Sequence, residues 1–165
     1  MPNNIQTITF QYQLHNDLQS VPSQWHALID SAKQITEQAY APYSRFKVGA
    51  AVLLDNGVIV TGNNQENMAF PSGLCAERVA IFYAGAQYPN QTIKAIAIAV
   101  NPENFKVNQP LAPCGSCRQA LLEYELKQSE PIEVLLTGQD GRVIHITGIQ
   151  SLLPLHFIEE RLKKS

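Results

Sequence analysis

Three cysteines and one glutamate carry the chemistry of this sequence. Cys75 opens Cys75-Ala76-Glu77-Arg78, and the other two stand in Pro113-Cys114-Gly115-Ser116-Cys117-Arg118, so two short segments hold every cysteine of the chain. A catalytic zinc takes three protein ligands and keeps a fourth tetrahedral position for water, and three cysteines meet that count. A Cys-x-x-Cys pair on the first turn of a helix points both sulfurs to one side, where the positive end of the helix favours thiolates. Cys75 and Glu77 are two apart and do not face each other on a regular helix. Cys75 is therefore placed at the mouth of its helix, where a loop enters. Glu77 then stands beside the metal, where one carboxylate can shuttle protons to and from a substrate.

Other readings of the cysteines stand beside this one. A structural zinc closes with a fourth Cys or His, but His15, His26, His145 and His156 lie away from the cluster without ligand spacing. A disulfide leaves one cysteine over, and without a secretory signal the compartment reads as reducing, hence cytoplasmic. The formal net charge is −2 and the pI about 6.1, and Lys and Arg form no run beyond Lys163-Lys164. That leaves no electrostatic footprint for polymeric nucleic acid. No stretch approaches the roughly 18 apolar residues of a membrane span. A small substrate is favoured, and a charged fraction of only 16% hints at buried subunit contacts.

The elements that position these residues follow from periodicity. A chain of 165 residues is expected to form one domain, with 1–21 as an extension and 148–165 as a tail. Ile8, Phe10, Tyr12 and Leu14 alternate with polar residues, the period of a half-buried strand at an edge. Ser23 suits a helix N-cap, and Trp25, Leu28, Ile29, Ala32, Ile35 and Ala39 recur at helical spacing up to the break at Pro42. Residues 47–54, Asp55-Asn56-Gly57 and Val58-Ile59-Val60 predict a hairpin, and 62–73 reads as loop. A second helix is expected over 74–87, its apolar residues Val79, Ala80, Ile81, Phe82 and Ala84 suiting burial on more than one side. Residues 93–100 form an almost unbroken apolar run, the pattern of a central strand. A third helix over 114–127 then leads to a strand at 132–137, a parallel crossover of right-handed sense. A last strand is expected near 142–147. The sum is an α/β fold: a mixed sheet of about five strands with helices on both faces, plus an extra N-terminal strand.

The chain resembles the zinc nucleoside deaminases, whose sites combine a Cys or His ligand, a Glu two residues on, and Pro-Cys-x-x-Cys. With Cys75 as first ligand, it is similar to the small Cys₃ cytidine deaminases. Further segments carry the likeness from about Trp25 to Phe157: Pro42-Tyr43-Ser44-Arg45-Phe46-Lys47-Val48-Gly49-Ala50-Ala51, Asn64-Gln65-Glu66-Asn67, and Leu152-Leu153-Pro154-Leu155-His156-Phe157. The resemblance implies a three-layer α/β/α sandwich and one zinc per chain on Cys75, Cys114 and Cys117, with Glu77 as proton carrier. It implies hydrolysis of cytidine and 2′-deoxycytidine to the uridine and ammonia, a reaction of pyrimidine salvage. Arg78 would hydrogen-bond the ligand sulfurs and offset their charge. Asn64 and Glu66 would bind the ribose hydroxyls, Phe46 would lie beside the pyrimidine, and the backbone at Ala76 would read the base. It also implies a homotetramer with shared active sites, in which Phe157 stacks on the pyrimidine of a neighbour's site. The chain departs from the family at Met68-Ala69-Phe70, where Ala-x-Tyr is common, so a hydroxyl near the sugar or subunit boundary is lost. Two other functions stand open at this point. One is a deaminase of a modified cytosine nucleoside of the blasticidin type, against which Asn64-Gln65-Glu66 argues. The other is a non-catalytic zinc-stabilised module or thiol redox protein, against which Glu77 and the missing fourth ligand argue.

Overall fold

The apolar run at 93–100 is the middle of a sheet. In the computed structural model, which describes residues 4–163, it forms β4 (Ile93–Pro102), antiparallel to β2 (Phe46–Leu54) and parallel to β5 (Glu133–Thr137). β3 (Ile59–Asn63) closes one edge beside β2, and β6 (Val143–Thr147) and then β1 (Gln13–His15) close the other, giving the order β1-β6-β5-β4-β2-β3. Six strands match the expected five plus one. The outermost residues of the extension and tail, Lys164 among them, lie outside the described residues.

Alternation along β4 divides two packing layers. Ala95, Ala97 and Ala99 face α1 (His26–Ile35), packing with Trp25, Leu28, Ile29 and Ala32. Ile96 and Ile98 face α2 (Ala76–Gln87) and α3 (Gly115–Glu125), packing with Ala80, Ile81, Ala84, Leu121 and Leu122. Small residues on one face let a helix approach closely, while each isoleucine on the other contributes about 1.5–3 kcal/mol by its burial.

Glycines set how near the helices come. A β-carbon on Gly49 of β2 would collide with the Ala32 carbonyl of α1, and one on Gly62 of β3 would lie 2.5 Å from the Ala80 amide nitrogen of α2. Since that neighbour is backbone, Gly62→Ala forces α2 off the sheet. A loss of about 1–3 kcal/mol is expected, together with weaker zinc retention because α2 carries Cys75; urea unfolding and metal analysis of the variant check both.

Several sequence-based boundaries shift. The N-terminal strand is confined to Gln13–His15, and Ile8, Phe10, Tyr12 and Leu14 are exposed. Its partner limits it: Gln13 pairs with His145, and β6 ends two residues later at Thr147, where Gly148 turns away at φ 82°, so β6 offers no partner to Ile8 or Phe10. Ser23 is not an N-cap. Residues Ser23–Trp25 form a 3₁₀ turn without a side-chain cap, and the first helix closes through a second 3₁₀ turn at Thr36–Gln38, before Pro42 is reached. β3 extends to Asn63, into the segment read as loop. α2 begins at Ala76 and buries one side: Ala76, Ala80, Ile81 and Ala84 face the core, while Phe82 and Tyr83 are exposed. α3 covers Gly115–Glu125, shorter than expected at both ends.

Glu125, at the C-terminal end of α3, is a buried carboxylate with a structural task. It accepts hydrogen bonds from the amides of Ile132 (2.9 Å), Ile149 (2.7 Å) and Gln150 (3.1 Å). One side chain thereby ties α3 to the start of β5 and to the turn after β6.

Candidate metal centre and active site

Two helix N-termini converge on one point beside the sheet. Cys75 is the N-cap of α2 and Cys114 the N-cap of α3, each with extended backbone (φ −69°, ψ 152° and φ −64°, ψ 164°). Cys117 lies in the first turn of α3, fully buried, whereas Cys114 is exposed and Cys75 half-buried. The three Sγ atoms all lie within 4.8 Å of one another. Two sulfurs bound to one zinc at ~2.3 Å in tetrahedral geometry stand about 3.8 Å apart, so small rotations of these side chains suffice to grip the ion. Among the described residues this is the one group of three or more Cys, His, Asp or Glu with such spacing. Three soft donors without a fourth fit a zinc that keeps an open position.

The electrostatics favour a thiolate at Cys75 and disfavour a second one at Cys117. A hydrogen bond from the Cys117 thiol pushes the Cys75 thiol down to about 5, against the effect of burial and with help from Arg78; Cys117 itself, hydrogen-bonded to Cys75 and buried, is pushed up. The Arg78 guanidinium reaches Cys75 Sγ at 4.0 Å, and its Nε is buried without a hydrogen-bond partner. It is positive charge set against sulfur. Glu77, one residue before it, is only 5% exposed. Burial raises its carboxyl above the usual range, and the charge on Cys75 adds to this. A carboxyl so placed holds a proton more readily than one in water.

The loop that delivers Cys114 is anchored by Arg118, whose Nε donates to the Pro113 carbonyl at 2.8 Å and whose Nη1 donates to the Leu152 carbonyl at 2.9 Å. Arg118 thus joins the metal loop to the C-terminal tail.

A cavity of about 380 Å³ opens beside Cys75, with Asn64, Glu66, Cys75 and Arg78 on its wall along with Phe70 and Tyr43. Four of the residues singled out in the sequence thus share one cavity. The others, Glu77, Cys114 and Cys117 among them, stand apart from its lining. Phe46 begins β2 and stacks on Phe105 with ring centroids 5.9 Å apart. Ala76 is fully buried at the start of α2. Phe157 is 68% exposed on the tail, and its carbonyl accepts from Gln119 at 3.1 Å.

Asn64 and Glu66 are engaged with the chain. Asn64 Oδ1 accepts from the Val48 amide at 2.8 Å and its Nδ2 donates to the Phe46 carbonyl at 2.9 Å. Glu66 Oε2 accepts from the amides of Tyr43 (2.9 Å) and Ser44 (3.2 Å), and Oε1 accepts from the Ser44 hydroxyl. Burial acts to raise the Glu66 carboxyl, but the Ser44 hydroxyl and the two amides outweigh it and hold it below the ordinary carboxylate range. Of about four acceptor sites on a carboxylate, one remains free on Oε1; Asn64 keeps one free N–H. Sequence reasoning assigned no role to Tyr43, Ser44, Phe70 or Arg118. For Phe70 the signal was the departure from the family pattern; for Ser44 there was only its place in the Pro42–Phe46 segment.

Comparison with known proteins agrees with this geometry. Residues 22–129 match the model of the cytidine and deoxycytidylate deaminase zinc-binding region. A cytidine deaminase of Sporosarcina psychrophila is 42% identical over 135 residues, 82% of this chain and 92% of that protein, and one of Halalkalibacterium halodurans is 39% identical over 133 residues, 81% and 93%. Among solved structures, the cytidine deaminase from Burkholderia pseudomallei is 41% identical, covers 80% of this chain and 98% of its own, and superposes with a TM-score of 0.70. With the matched region running from the entry to α1 through both cysteine segments, the chain belongs to the cytidine and deoxycytidylate deaminase family.

Proposed function

We propose that this protein hydrolyses cytidine, and 2′-deoxycytidine, to the corresponding uridine and ammonia. The observation that carries the reading is the buried Glu77 one residue into the helix whose N-cap, Cys75, joins Cys114 and Cys117 in a three-sulfur cluster. Cys75, Cys114 and Cys117 would hold the zinc, which when bound would supply a Lewis acid that makes water nucleophilic near neutral pH. Glu77 takes one proton from the attacking water and places it on N3 of the cytosine ring, making C4 electrophilic as the C4–O bond forms; as the C4–N bond breaks, it carries the second proton from the new C4 hydroxyl to the leaving amine. Its raised carboxyl suits a group that must hold a proton between these steps. Arg78 offsets the negative charge of three thiolates. Asn64 donates to a sugar hydroxyl and Glu66 accepts from one, Phe46 lies beside the pyrimidine, and the backbone at Ala76 reads the base. Free cysteines suit a reducing compartment, and we place the enzyme in the cytoplasm, acting as one domain on a small nucleoside. Loss of cytidine absorbance on incubation with metal-replete protein, run beside a zinc determination, tests the activity; one zinc per chain without turnover would rule it out.

The same reading makes the enzyme a homotetramer with shared sites. The tail exposes Leu155 (91%), Phe157 (68%) and Ile158 (47%), an apolar surface of the kind that interfaces cover, and Phe82 and Tyr83 add another on α2. Phe157 reaches the pyrimidine of a neighbour. Phe157→Ala is expected to weaken nucleoside binding by about 0.5–1.5 kcal/mol with zinc content intact. Mixing it with Glu77→Gln chains rebuilds sites having Glu77 from one chain and Phe157 from the other, which restores the affinity of the active fraction. A monomer by light scattering, or unchanged affinity after verified exchange, excludes sharing.

A further inference from the structure

Between α1 and β2 the chain makes a short exposed loop whose shape is imposed by side chains from beyond β3. Arg45 in this loop has φ 54°, in the left-handed region that costs a non-glycine residue about 1 kcal/mol. The loop is therefore held rather than relaxed, and Ser44 is where the holding contacts meet. Its amide donates to Glu66 Oε2 at 3.2 Å, its hydroxyl donates to Glu66 Oε1, and its Oγ accepts from the Phe46 amide at 3.0 Å. One hydroxyl joins the carboxylate on the sugar side to the backbone of the aromatic residue on the base side.

We infer that Ser44 is a positioning residue for nucleoside binding, one that holds Oε1 of the Glu66 carboxylate and ties it to the place of Phe46. The inference rests on the reading that Glu66 receives a sugar hydroxyl. The two amides both meet Oε2 and leave Oε1 untouched, and only the Ser44 hydroxyl holds Oε1. Oε1 is also the oxygen with an acceptor site to spare. A hydroxyl presented by the substrate thus meets an oxygen that Ser44 holds. The Ser44 side chain itself is exposed, so its removal opens no cavity in the core.

The test compares cytidine with 2′,3′-dideoxycytidine, which lacks the sugar hydroxyls, on zinc-loaded wild type, Ser44→Ala and Ser44→Thr. Wild type is expected to prefer cytidine in kcat/KM. In Ser44→Ala that preference falls by about tenfold, the order of one hydrogen bond to a charged group, with the loss in the KM for cytidine and one zinc still bound per chain. Ser44→Thr restores it, since it returns the hydroxyl. An Ala variant that keeps the wild-type preference, or a Thr variant no better than Ala, overturns the role of Ser44. A wild type that does not distinguish the two nucleosides overturns the assignment of Glu66 to the sugar, and the positioning role with it, and is recognised without either variant.

Discussion

Glu77→Gln is expected to lower cytidine turnover by about 10²- to 10⁴-fold, the range that general acid/base catalysis contributes, while the protein keeps one zinc per chain. The amide matches the carboxyl in size, and Glu77 is buried at the start of α2, so no cavity and no unpaired charge is created. What is lost is a group able to accept and release a proton beside the sulfurs. Turnover by absorbance and zinc by metal analysis separate the two roles, and near wild-type turnover would remove Glu77 from the proton path. Cys114→Ala acts differently: it takes away one of three ligands, so metal, activity and thermal stability fall together.

Glu125→Ala is expected to cost about 3 kcal/mol or more, as each buried amide left without an acceptor costs roughly 1–3 kcal/mol. Three amides lose their acceptor at once, those of Ile132, Ile149 and Gln150. They belong to two separate turns, so no single backbone shift re-pairs them. Glu125→Gln keeps an oxygen at one of the two positions and is expected to lose less. Urea unfolding of the zinc-loaded protein at fixed concentration measures both, and an Ala variant as stable as wild type would show that the amides find other partners.

The central sheet and the metal centre were legible because each depends on local pattern. The run from Ile93 to Val100 marks a strand covered on both faces, and Cys-x-x-Cys at a helix start fixes two sulfurs relative to one another. The meeting of Cys75 with that pair was legible through the count of ligands and the resemblance to the Cys₃ deaminases, since nothing local brings residue 75 to residue 114. The extent of the N-terminal edge strand was misjudged for a related reason. Alternation from Ile8 to Leu14 states what a strand would bury, but the ladder exists only where β6 offers a partner, and β6 stops at Thr147. The burial of α2 was overstated because five apolar residues around a helix do not tell a core from an exposed apolar surface such as that of Phe82 and Tyr83. Glu125 was invisible: at the end of a helix a glutamate reads as solvated, and its acceptors' partners lie 7, 24 and 25 residues further on.

The three sulfurs come from two helices that leave the same face of the sheet with β4 between them in the chain. An ion gripped there is a removable cross-link as well as a reagent. It ties residue 75 to residue 114, and closing a loop restricts the unfolded chain more as the loop lengthens, though only as the logarithm of its length. Chains that hold the ion are drawn toward the folded ensemble, and chains that have lost it open more often and meet proteases more often. Removing the ion is then expected to lower turnover and resistance to proteolysis together, which limited proteolysis of the chelator-treated protein checks.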